Sequence, residues 1–130
     1  KQTINNIMLN ELLTKKFKDH FGDNPTLLVR APGRINLIVE HTDYNNGYVL
    51  PAAIDKAIYF AISPRNDQKC VIYAYDLDDS YEFSLDNLEK SEKGWANFLL
   101  GVLAEIVSEG KQINTGFNLV FQIFIFNFII

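Results

Sequence analysis

Residues 30–51 read RAPGRINLIVEHTDYNNGYVLP. Two apolar runs, LLVRA ending at Ala31 and INLIVE from Ile35, are expected to be strands broken at Pro32-Gly33. Asn45-Asn46-Gly47 reads as a hairpin turn, because Asn and Gly tolerate the positive φ that such turns demand. Between strand and turn lie Glu40, His41, Thr42 and Asp43, downstream of Arg34. Ionised carboxylates accept hydrogen bonds from two hydroxyls at once, which suits a polyol. A guanidinium at Arg34 can fork onto a phosphate or hold charge on a transferring phosphoryl group. Gly33 before it permits a sharp bend or a close backbone approach. On chemistry alone, an exposed hairpin with solvated charges explains these residues equally well. His41 lacks the spacing of a zinc site, so hydroxyl binding or surface exposure fits it better than metal ligation.

Upstream, Leu9, Leu13, Phe17 and Phe21 recur every four residues and, with Leu12, make the apolar stripe of a helix closed by Gly22. Downstream, YVLPAAID, KAIYFAIS, KCVIYAYD and YEFSL read as strands of β-branched and aromatic residues. Trp95, Phe98, Leu99, Val102, Leu103, Ile106 and Val107 follow helical spacing, with Gly110 as the stop. GFNLVFQ opens a last strand. Helix, several strands, helix and strand define an α+β domain. His20, near the end of the first helix, reads as a solvated residue favoured by the helix dipole.

A length of 130 residues suits one domain or part of one. A net charge of −4 disfavours nucleic acid and anionic membranes as partners. The single cysteine, Cys70, cannot close an internal disulfide, so a reducing, cytoplasmic compartment is expected. It reads as a buried small hydrophobe rather than a reactive thiol. The first residues, KQTINNIMLNELL, have neither the apolar segment nor the cleavage site of a targeting peptide. In FQIFIFNFII, residues 121–130, eight are Phe or Ile. That run is shorter than the roughly 20 residues of a membrane-spanning helix. It has the composition of an aggregation-prone strand, and a buried central strand is the plainer reading.

The order A-P-G-R, N-L-I, E-H-T-D-Y, N-G-Y-V-L-P closely resembles the N-terminal signature of galactokinases, in the superfamily of galacto-, homoserine, mevalonate and phosphomevalonate (GHMP) kinases. Weaker resemblance runs from about residue 10 to about residue 120 and includes Trp95-Ala96-Asn97-Phe98. It implies the GHMP kinase or ribosomal protein S5 domain 2-like fold, here a truncated mixed sheet with helices on one side. It also implies transfer of the γ-phosphoryl of ATP to the C1 hydroxyl of α-D-galactose, with Mg²⁺. By position, Arg34 stabilises the transition state near C1, and Glu40 and His41 face the C6 hydroxyl. Asp43 holds the C3 and C4 hydroxyls, Thr42 shapes the loop, and Tyr44 packs. Trp95 lines the adenine pocket or anchors the core. No residue is assigned to metal.

Three departures stand out. Val39 replaces the family's usual Gly before E-H-T-D-Y, and Leu100 stands where the family usually has Lys. None of the seven glycines lies beyond Gly116, so the family's glycine- and serine-rich phosphate loop and its Mg²⁺ ligands have no counterpart in this sequence. Residues 1–120 are therefore expected to form part of an N-terminal, sugar-binding domain, and residues 121–130 an aberrant apolar tail. A shifted reading frame or truncated gene would produce such a tail. The expected partners are galactose and ATP, with self-association through an exposed sheet edge and the tail. The chain alone is expected to be inactive. A non-catalytic galactose sensor and a non-functional fragment are the alternatives.

Overall fold

The computed structural model describes residues 2–38 and 47–124, with side chains for 7–37 and 47–123. Helix α1 (Gln2–Phe21) precedes strands β1 (Leu27–Ile38), β2 (Leu50–Pro64), β3 (Lys69–Ala74) and β4 (Asp79–Ser84). Helix α2 (Ala96–Ser108) and strand β5 (Phe117–Phe124) follow. The strands form one mixed sheet in the order β1-β2-β5-β3-β4, antiparallel throughout except for the parallel pair β3 and β5. The last strand is thus central, and Phe121 to Phe124 pair in register with Phe60 to Ala57 of β2.

Strand alternation divides the sheet into two apolar faces. Ala57, Tyr59 and Ala61 of β2 and Val120 of β5 turn toward α1, where Leu13 and Phe17 are fully buried among them. Each such side chain contributes about 1.5–3 kcal/mol by leaving water. Leu9 and Phe21 complete the stripe, whereas Leu12 sits at its exposed margin. On the other face Cys70, Ile72, Ala74 and Leu119 are buried, and there Trp95 and Leu99 of the α2 end share an apolar groove with Phe60, Ala74 and Phe121, while Ala96 and Leu100 of α2 are themselves buried. The helices therefore lie on opposite faces, not on one side. Sheet residues alternate, and both sets are apolar enough to need a cover.

The break anticipated at Pro32-Gly33 is not a strand end. β1 runs through it, because β1 is the sheet edge, where the missing N–H of proline need not pair. Register instead shifts: Pro32 opposes Ala57 and Arg34 opposes Ala53, so Ile54 to Lys56 bulge across from Gly33. A Cβ at Gly33 would lie 3.2 Å from the Ile54 side chain. Close approach, not a bend, is what this glycine permits. The same bulge explains why YVLPAAID and KAIYFAIS look like two strands while forming the single strand β2. Gly22 and Gly110 stop the helices as expected, at φ of 83° and 76°. The expected Asn45-Asn46-Gly47 turn lies largely outside the described residues.

Helix α2 buries residues that its spacing did not single out. Phe98 and Val102, members of the helically spaced apolar set, are exposed, and Ala96 and Leu100, outside that set, are the buried pair. The helix is apolar on nearly every side, so periodicity could not say which side meets the sheet.

Candidate functional site

Arg34 lies on β1 just past the bulge, opposite Ala53, with its side chain exposed. The strand leading to it is held on the sheet by Arg30, which donates to the Tyr59 hydroxyl at 3.2 Å and to the Asp55 carbonyl at 3.0 Å. β1 continues to Ile38, which pairs with Leu50 where β2 begins. The four residues from Arg34 to Ile38 advance about 13 Å along the strand. Val39, Glu40, His41, Thr42, Asp43 and Tyr44 lie outside the described residues.

Trp95 stands at the N-terminus of α2, half-buried, with its ring centroid 5.8 Å from that of Phe121. Its indole Nε1–H donates to Asp79 Oδ2 at 3.0 Å, while the Lys93 ammonium pairs with Oδ1 of the same carboxylate. The Lys93 bond, and then the Trp95 bond, hold the Asp79 carboxyl below its ordinary pKa. This clasp fixes the indole as one wall of an apolar groove of about 330 Å³. Ile58, Phe60, Phe121, Ile123 and Phe98 form much of the remaining lining. Trp95 thus both lines the groove and anchors the start of α2 to the sheet. Leu100 is buried on the same side, which makes its position a packing site in this chain.

Several features escaped the sequence. Asp79 and Lys93 are fourteen residues apart, and only the fold joins them. His20 is not merely solvated: its ring stacks on Tyr73 at 4.1 Å and 11°. Gly116 is wedged against β3, where an added Cβ would lie 1.9 Å from the Lys69 carbonyl oxygen. Beside it Arg65 forks onto Asp67, at 2.8 and 2.7 Å, and reaches Asn118 at 2.9 Å. The Arg65 bond lowers the Asp67 carboxyl to about 2. Burial raises the Cys70 thiol, in keeping with a core residue. Among the described residues no group of three or more His, Cys, Asp or Glu side chains is placed to hold a metal ion. No described helix is long and apolar enough to cross a membrane.

The fold is one that a small-molecule kinase also has. It superposes on the Methanococcus jannaschii mevalonate kinase with a TM-score of 0.57 over 73% of this chain and 31% of that one, at 19% identity, a likeness of fold alone. The nearer likeness is to galactokinases. Residues 15–64 match the galactokinase galactose-binding signature. The chain is 44% identical over 102 residues to the galactokinase of Roseiflexus sp. (strain RS-1), covering 78% of this chain and 26% of that one. It superposes on the Lactococcus lactis galactokinase, solved in complex with galactose, with a TM-score of 0.78 and 37% identity, over 90% of this chain and 31% of that one. Over the part that it spans, the chain belongs to the galactokinase family. It spans less than a third of the length of these relatives.

Proposed function

We propose that this chain is the sugar-binding portion of a galactokinase, an enzyme that moves the γ-phosphoryl of ATP to the C1 hydroxyl of α-D-galactose. The observation that carries this reading is the galactose-binding signature over residues 15–64, which contains Arg34 and the whole of residues 40–43. In this reading the Arg34 guanidinium stands beside the C1 oxygen and holds negative charge as the phosphoryl group is transferred. Asp43 accepts from the C3 and C4 hydroxyls, so an equatorial C4 hydroxyl would leave a carboxylate oxygen unpaired. Glu40 and His41 meet the C6 hydroxyl, and Thr42 shapes the loop. ATP supplies the phosphoryl group when bound, and the apolar groove beside Trp95 fits its adenine ring. Mg²⁺ would accompany ATP in such a reaction, and no residue of this chain is assigned to it. Residues 1–120 form the sugar-binding portion, and residues 121–130 depart from the family pattern. The open edge of β1 and the apolar end favour self-association. A cytoplasmic location accords with a lone, buried cysteine.

Phosphoryl transfer depends on positioning and on electrostatic stabilisation of phosphates and metal. With no phosphate loop in its sequence, the chain alone should release no galactose-dependent ADP in a coupled assay. Saturation-transfer NMR on the same sample should show galactose, and not glucose, in contact with protein protons. Equal transfer to both sugars would sink the assignment of Asp43.

A further inference from the structure

The clasp of Asp79, Lys93 and Trp95 is a weak tie but a precise one. The Lys93 and Asp79 side chains are 41% and 36% exposed, and ion pairs so open to water add little to stability. The geometric consequence is larger. The indole has one polar atom, Nε1–H, which can only donate, and it donates to Asp79 Oδ2 at 3.0 Å. That acceptor is itself held from several sides. Asp79 opens β4 and pairs in register with Ala74 of β3, which lines the same groove as Trp95. The residue before it, Asp78, turns the chain at a φ of 47° and accepts from the Tyr73 hydroxyl at 2.5 Å. Lys93 engages the other oxygen of the Asp79 carboxylate, and its ammonium also donates to the Ser80 carbonyl at 2.9 Å. Lys93 in turn belongs to a stretch pinned to α2. Ser91 N–H donates to Asn97 Oδ1, and Asn97 Nδ2 donates to the Ser91 carbonyl, both at 2.8 Å. Lys93 N–H donates to Ser91 Oγ at 3.0 Å.

We propose that Asp79 and Lys93 are positioning residues for the groove: they hold the Trp95 indole in one orientation before a flat ring enters, so that the ring meets a wall already set. The inference rests on the adenine reading of the groove and adds to it the residues that set its wall. Neither residue lines the groove; Asp79 acts through Trp95, and Lys93 through Asp79. Ring faces stack only in a narrow set of arrangements, so an indole that swings must be ordered when the ligand binds. Ordering one such side chain weakens affinity by about 2- to 12-fold. The competing account is that the clasp only ties β4 to the start of α2. Loss of the tie would then lower stability without altering the indole. Substitutions separate the two accounts. Asp79→Ala removes the acceptor. Asp79→Asn keeps an acceptor oxygen for Nε1–H and gives up the charge that draws Lys93. Lys93→Met leaves the acceptor in place without its brace.

Trp95 is the single tryptophan of the 130-residue chain, so its indole N–H gives one signal in proton–nitrogen NMR and its fluorescence anisotropy decay reports one side chain. Both are recorded on the full chain and the three variants, without ligand and then with adenosine. In the parent the indole should tumble with the whole protein. In Asp79→Ala its N–H signal should move upfield, a fast anisotropy component should appear, and adenosine should bind about 2- to 12-fold more weakly. Asp79→Asn should recover most of the parent signal and affinity. Lys93→Met should fall between Asp79→Ala and the parent, and it decides the matter if Asp79→Ala does not fold. An indole signal and anisotropy decay unchanged in Asp79→Ala or Lys93→Met overturn the proposal, even where the urea midpoint drops. So does a released indole with adenosine affinity equal to the parent's. An indole released in Asp79→Ala and recovered in Asp79→Asn, in a chain whose parent form ignores adenosine, upholds the positioning of Trp95 and faults the adenine reading alone.

Discussion

Replacing Gly116 by Ala probes the junction that the fold depends on and the sequence conceals. Gly116 does not adopt positive φ, so the backbone conformation suits Ala. Space is the obstacle. The new Cβ would sit 1.9 Å from the Lys69 carbonyl oxygen, 2.6 Å from its carbon and 2.8 Å from the Lys69 nitrogen. A carbon–oxygen contact relaxes at about 3.3 Å, so the backbones of residues 69 and 116 must part by about 1.4 Å. Gly116 N–H donates to the Asp67 carbonyl at 2.6 Å, and the Gly116 carbonyl accepts from Arg65 N–H at 2.8 Å. Overpacking costs about 1–3 kcal/mol. Each of the two bonds, if lost, adds about 0.5–1.5 kcal/mol. The sum is about 2–6 kcal/mol, well above the 0.4–1 kcal/mol that Gly→Ala returns through a stiffer unfolded chain. Urea unfolding followed by the single tryptophan, Trp95, reads this directly. Gly101→Ala is the control: its Cβ meets nothing, and a helix gains up to about 1 kcal/mol from Ala over Gly. A midpoint for Gly116→Ala equal to or above that of the parent would refute the reasoning.

Three further outcomes follow from the packing and the ion pairs. Phe17→Ala, which empties a fully buried site between α1 and the sheet, should cost about 3–5 kcal/mol or prevent folding; unchanged thermal unfolding would show that α1 is not docked. Asp67 titrates near 2 in the folded chain, below its unfolded value of about 3.9, so its contribution is complete above pH 4 and fades as pH falls from 4 through 2. Urea midpoints of Asp67→Asn should accordingly flatten over that window relative to the parent, and parallel profiles would deny the Arg65 pairing. Tyr73 donates to Asp78 at 2.5 Å, which pushes its phenol up to about 12. Its stabilising effect is present below pH 10 and is lost as pH rises toward 12. Phenolate absorbance should show one late-ionising tyrosine that Asp78→Asn restores to the ordinary range.

The sequence was informative where local rules govern. The Leu9–Leu13–Phe17–Phe21 stripe lies against the sheet because helical spacing and burial agree there. Gly22 and Gly110 end helices because positive φ is a local demand. The sequence was less informative where the fold supplies the partner. Pro32-Gly33 looks like a break, and only the position of β1 at the sheet edge reveals it as a bulge. Phe98 and Leu100 are both apolar and two residues apart, yet one is exposed and the other buried, a choice made by the sheet beneath them. The clasp of Asp79, Lys93 and Trp95 joins separate elements without any shared motif. Of the candidate site, the order of residues from Arg34 to Asp43 identified the family through resemblance, while charge and spacing alone left a solvated hairpin equally open. Arg34 itself lies past the bulge, paired with Ala53 of β2.

Calorimetric titration with galactose and with glucose, on the parent chain and on Asp43→Ala, bears most directly on the sugar-binding assignment. Saturable heat with galactose, absent with glucose, should weaken about 10- to 150-fold in the variant, since hydrogen bonds to a charged group contribute about 1.5–3 kcal/mol. Silence with both sugars, or equal heats for galactose and glucose that Asp43→Ala leaves unchanged, would contradict the assignment.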